Sequence, residues 1–113
     1  MEDLQVFPLY IDCFAPRKAI LELGEAIATH LDYAKGWNIA QSESFVADDL
    51  REQWTHENPS KKVADEVALQ IRFYFPSAEL CQAATETAID HLQSLKPDSG
   101  YGIIAWSTSS RIN

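Results

Sequence analysis

Apolar positions alternate with others from Leu4 to Phe14. Phe7, Leu9, Ile11 and Cys13 fall on one face, and Val6, Pro8, Tyr10 and Asp12 on the other. A period of two is that of a strand with one buried face, so residues 4–14 are predicted as a first strand. Pro8 has no amide to give to a ladder, which predicts a bulge or an unpaired position early in it. The period then changes. Pro16 suits the first position of a helix, and Ile20, Leu23, Ile27 and Leu31 follow at intervals of three and four, with Glu22, Glu25 and Asp32 off the stripe. This predicts an amphipathic helix over 16–33 with Gly36 as its stop. Gly24 within it weakens the helix by about 1 kcal/mol relative to alanine, and so marks a place where a neighbouring element comes close.

Trp37, Ile39 and Gln41 begin a second alternating run, predicted as a strand over 37–44. Val46, Leu50 and Trp54 then form a four-residue ladder, which predicts a short helix over 46–55. The run from His56 to Lys62 holds an Asn58-Pro59 turn signal and is read as a loop. Residues 65–75 carry the clearest strand pattern: Val67, Leu69, Ile71, Phe73 and Phe75 alternate with Glu66, Ala68, Gln70, Arg72 and Tyr74. Pro76 ends that strand, and Ser77 can cap the next helix. Its inner stripe is Cys81, Ala84, Ala88, Leu92 and Leu95, and Pro97 stops it. Residues 101–108 are the last strand.

The order strand, helix, strand, strand, helix, strand is the split βαβ arrangement. The expected fold is α+β, a ferredoxin-like βαββαβ sandwich within a single domain, 1–113. It would have a four-stranded antiparallel-type sheet, two helices on one face, and an extra short helix between strands 2 and 3. The strands 5–14 and 65–75 would lie side by side and parallel in the centre. The second face of the sheet would be left open, displaying Tyr10, Asp12, Gln70, Arg72 and Tyr74, with Trp106 joining them if the register of the last strand allows.

Composition narrows the partners. The chain has 113 residues, 46% of them hydrophobic, which is globular rather than disordered composition. Its seventeen acidic residues against nine Lys and Arg give a formal charge of -8. That balance argues against direct nucleic-acid binding, which needs cations at phosphates, and against a polybasic membrane patch. The start Met1-Glu2-Asp3-Leu4-Gln5 lacks the basic and apolar regions of a signal peptide, and no apolar run is long enough to span a membrane, so a cytoplasmic protein is expected. Cys13 and Cys81 match no metal-ligand spacing and are expected as buried thiols; a disulfide between them is conceivable geometrically but disfavoured by a reducing compartment.

No signature of catalysis, of a cofactor or of a metal site emerges: Gly24, Gly36, Gly100 and Gly102 are scattered and form no phosphate loop. His30 and His91 fall late in two helices, where an imidazolium gains from the helix dipole. His56 in the loop is a weak candidate general base. Cys81, in the first turn of a helix, could be activated there, but its place on the inner stripe favours an inert thiol. The most charged stretch runs from Glu43 to Glu57, where Glu43, Asp48, Asp49, Glu52 and Glu57 face only Arg51, a net charge of -4. Asp48 and Glu52 are four apart and repel on a helix, a strain a cationic partner would relieve.

The expected function is therefore a non-enzymatic, acidic binding protein that neutralises a basic partner, such as a nuclease toxin, by occluding its cationic groove. In size and charge it resembles the class of toxin-immunity proteins and phage-type inhibitors. Its contacts would be Glu43, Asp48, Asp49, Glu52 and Glu57, anchored by Trp54 with Phe45, or by Tyr10, Arg72 and Tyr74 on the sheet. The alternative is a small-molecule enzyme or binding protein similar to the dimeric α/β-barrel proteins. In that case a homodimer would close over the open sheet face, and Tyr10, Arg72, Tyr74 and Trp106 would line a cavity.

Overall fold

A computed structural model describes residues 6–31, 34, 36–95 and 104–110. The elements in chain order are β1 (Phe7–Pro16), α1 (Arg17–Ala28), β2 (Trp37–Gln41), α2 (Ser44–Glu57), β3 (Glu66–Phe75), α3 (Ala78–Gln93) and β4 (Ala105–Ser110). The strands form one sheet in the order β2-β3-β1-β4, every neighbouring pair antiparallel. The chain is thus an α+β protein of ferredoxin-like topology.

The central pair corrects one expectation. β1 and β3 run antiparallel, not parallel, through ten matched positions from Phe7 opposite Phe75 to Pro16 opposite Glu66. The connection through α1 returns the chain in the direction of β1 but one strand further out, and β3 fills the gap between them running the other way. Pro8 causes no bulge, since it sits opposite Tyr74 in unbroken register. β1 also continues to Pro16, which flanks α1 as its N-cap residue rather than occupying its first turn.

The period-two pattern sorts the strands into two faces. Leu9, Ile11, Cys13 and Ala15 of β1 and Leu69, Ile71, Phe73 and Phe75 of β3 meet Ile20, Leu23 and Ile27 of α1 and Cys81, Ala84, Ala88 and Leu92 of α3 in the main core. Fully burying a side chain of the Leu, Ile or Phe kind is worth about 1.5–3 kcal/mol, so this layer holds the fold together. α3 is capped by Ser77, whose hydroxyl accepts the Leu80 amide at 3.2 Å. It ends at Gln93, which leaves Leu95 outside the helix and exposed.

The opposite face is not left bare. α2 lies across one end of it, and Leu50 and Trp54 bury against Phe14 and Ala105, with Val46, Val63 and Ala68 packed alongside. The Trp54 and Phe14 rings meet edge to face, with centroids 5.8 Å apart. The Val46–Leu50–Trp54 ladder is thus the inner stripe of α2. The helix extends beyond its expected bounds to Glu57, so His56 belongs to its exposed last turn and not to a loop. β4 also differs from expectation. It begins at Ala105, with Trp106 opposite Cys13, so the indole packs toward the main core and not on the open face. The expected strand residues 101–103 lie outside the described residues, as do the first residues of the expected β1 and the stop at Pro97.

Candidate functional site

Two rungs of the open sheet face lie next to α2 and are not covered by it. The inner rung crosses Ala40, Gln70, Asp12 and Ser107, and the outer rung crosses Asn38, Arg72, Tyr10 and Ser109. With the start of α2 they line a concavity of about 510 Å³. Tyr10, Asp12, Gln70, Arg72, Ser107 and Ser109 contribute the sheet side, and Glu43, Phe45 and Val46 form the wall. Its volume falls within the range that small-molecule sites occupy, roughly 300–1,000 Å³.

The floor is a connected polar network. Asp12 is only 5% exposed. The Ser42 hydroxyl donates to its Oδ1 at 2.7 Å. The Gln70 amide donates through Nε2 to both carboxylate oxygens, at 3.2 and 3.3 Å. The Gln70 carbonyl in turn accepts from Nε of Arg72 at 2.6 Å. The amide orientation is therefore fixed at both ends, with its oxygen toward the cation and its nitrogen toward the anion. The guanidinium also lies over the ring of its cross-strand neighbour Tyr10, 5.3 Å from the centroid, where the ring quadrupole attracts it. Among the described residues Arg72 makes no ion pair. It is thus a cation held in place through Nε and the Tyr10 face, with its terminal nitrogens left for another group.

α2 brings its N-terminus to the same concavity, and the Glu43 side chain makes no capping hydrogen bond there. The amides of a first turn have no partner within their own helix, so this end of α2 adds donors and a positive dipole end to the wall. Phe45, 64% exposed, stands beside them.

The residues expected to form one partner surface fall in separate places. Tyr10, Arg72 and Glu43 line the concavity. Tyr74 sits one rung further out, its hydroxyl 3.5 Å from the Asn38 amide nitrogen. Asp48, Asp49 and Glu52 are exposed on α2, and Asp48 shares a groove with Arg17 and Arg51, so the acidic stretch is broken by cations. Glu57 accepts a hydrogen bond from Gln53 at 3.1 Å. Trp54 is fully buried and cannot anchor a partner. Trp106 faces the other side of the sheet and does not line the concavity. Ser42, Ser107 and Ser109 were not singled out by the sequence. The signal that could have found them is their place across from, or just after, the polar face of strands already recognised.

Cys13 and Cys81 are both free and buried. Burial, and then the Asp12 charge, push the Cys13 thiol far up. Burial raises Cys81 too, opposed by a hydrogen bond with Thr85, so its position at the start of α3 does not activate it. Among the described residues no group of three or more His, Cys, Asp or Glu is placed to hold a metal, and no helix is long and apolar enough to cross a membrane.

No protein-family model matches the chain, and no curated protein matches it. Two solved structures to which it is similar are a PII-like signalling protein from Thermus thermophilus and CPII from Thiomonas intermedia. The first is 13% identical, covers 96% of this chain and 93% of its own, and has a TM-score of 0.40. The second, bound to ADP and bicarbonate, is 13% identical, covers 98% and 95%, and has a TM-score of 0.38. The expectation of an immunity-type or phage-type inhibitor with a basic nuclease partner is corrected by the geometry: Trp54, one of its expected anchors, is in the core, and Asp48 of the acidic stretch shares a groove with Arg17 and Arg51.

Proposed function

We propose that this protein binds a small polar molecule in the concavity between the open sheet face and the start of α2, and that the ligand presents an anionic group to Arg72. The observation that carries this reading is the chain of hydrogen bonds from Ser42 and Gln70 to buried Asp12 and from Arg72 to Gln70. It fixes an arginine that makes no ion pair among the described residues at the floor of a ligand-sized space. Charge-assisted bonds from such a fork are roughly twice as strong as neutral ones, and an arginine already positioned loses little freedom when it makes them. The Ser107 and Ser109 hydroxyls and the first amides of α2 supply further polar contacts, Asp12 and Glu43 can accept from donors on the ligand, and Phe45 offers a face for its apolar part.

The uncovered outer rung also suits a second copy of the chain, which would enclose the ligand from the side opposite α2. Thermal-shift measurements with inorganic phosphate, bicarbonate, a dicarboxylate and ADP test the reading, alongside light scattering for mass. At least one anionic probe should raise the melting temperature of the wild type, and the same probe should fail on Arg72→Met. If every probe that stabilises the wild type stabilises Arg72→Met equally, the site is elsewhere.

A further inference from the structure

The layer of helices on the other side of the sheet carries a second, unrelated pair of side chains. His30 follows the end of α1 and His91 lies in the last turn of α3. The fold, not local sequence, brings them together, with ring centroids 5.6 Å apart and planes tilted by 43°. We infer that His30 and His91 form a site for one divalent transition-metal ion of the Zn²⁺ or Ni²⁺ kind, which joins the C-terminal ends of α1 and α3 and keeps its remaining positions for water.

The spacing fits a shared ion. An imidazole nitrogen about 2.1 Å from zinc places its ring centroid about 3.2 Å away, so two rings on one ion at angles between tetrahedral and 120° have centroids about 5.2–5.5 Å apart. The observed separation of 5.6 Å is close to that range, and His30 is exposed. The electrostatics favour a cation as well. Both imidazoles sit at helix C-termini, the negative ends of the two helix dipoles. Two nitrogen donors without a clustered carboxylate suit zinc, nickel or copper and do not suit calcium or magnesium, which require oxygen shells. With only two protein ligands the ion is open to exchange, in contrast to a closed structural zinc site.

Calorimetric titration of the purified chain with Zn²⁺, after removal of adventitious metal by a chelator, tests this. The expected result is one ion per chain, a raised melting temperature, and no binding of Mg²⁺. Losing a direct ligand should weaken binding at least as much as losing an outer partner of one, roughly tenfold or more, in both His30→Ala and His91→Ala. His56→Ala, on α2, should bind as the wild type does. Because His30 is exposed, His30→Ala keeps the fold and suffices for the decision. Absence of Zn²⁺ binding, binding that survives His30→Ala undiminished, or one ion per two chains would each overturn the assignment.

Discussion

Gly24 of α1 lies against the indole of Trp37 on β2 so closely that a Cβ at position 24 would stand 2.7 Å from Cζ3 of the ring. The ring has little room to retreat, because it stacks on Phe73 with centroids 6.0 Å apart. Alanine at this position gains about 1 kcal/mol of helix propensity but overpacks the helix–sheet contact, which costs about 1–3 kcal/mol. Gly24→Ala should therefore lower stability by about 1 kcal/mol in urea denaturation. In a Trp37→Leu background, where the ring is gone, the same change should raise it. A stabilising Gly24→Ala in the wild type would show that the indole yields and that the glycine is not there for the contact.

Asp12 gives a second prediction. Its carboxylate is the acceptor for both the Ser42 hydroxyl and the Gln70 amide. Asp12→Ala leaves those donors without an acceptor in a nearly closed position, at about 1–3 kcal/mol for an unsatisfied buried group. Asp12→Asn keeps one acceptor oxygen and should cost clearly less. Because Gln70 also orients Arg72, Asp12→Ala should weaken ligand binding even at temperatures where the variant is fully folded. Equal stabilities for the two variants would mean that the network does not organise the floor of the concavity.

His91 makes stability depend on pH with a definite sign. Burial and the adjacent His30 lower its folded pKa beneath the ordinary 6.5. Between the two values the unfolded chain binds more protons, so this contribution is complete above pH 6.5 and is lost as pH falls through the folded pKa. Denaturation midpoints measured in the presence of a chelator should fall between neutral and mildly acidic pH more steeply for the wild type than for His91→Gln. Identical pH profiles would contradict the assignment of that shift.

The succession of strands and helices was legible because each has a strong period: two for β1 and β3, near 3.6 for α1 and α3, and the Val46–Leu50–Trp54 ladder for α2. Where α2 packs was not read, although a cue existed. Phe14, Ala68 and Ala105 are apolar positions on an otherwise polar face, and they lie beside one another only once the register of three strands is known. The side taken by Trp106 was left open for the same reason, since in a period-two element a shift of one residue moves a side chain through the sheet. Tyr10, Asp12, Gln70 and Arg72 were recognised as companions on one face. Their role was hidden because the Arg72–Gln70–Asp12–Ser42 chain joins β3, β1 and the segment before α2, and the bonds that reach Asp12 cross between them. The acidic stretch 43–57 misled because charge density says nothing about which side of a helix is solvent. Its single tryptophan faces the sheet while Asp48, Asp49 and Glu52 face water.

The most direct measurement is a calorimetric titration of wild type and Arg72→Met with whichever anionic probe stabilises the wild type most. Loss of charge-assisted hydrogen bonds worth about 1.5–3 kcal/mol should weaken binding by roughly ten- to a hundredfold, with the unfolding midpoint of the free protein little changed. Affinity within twofold of the wild type would contradict the placement of the ligand's anionic group at Arg72, and with it the assignment of the sheet-face concavity as the binding site.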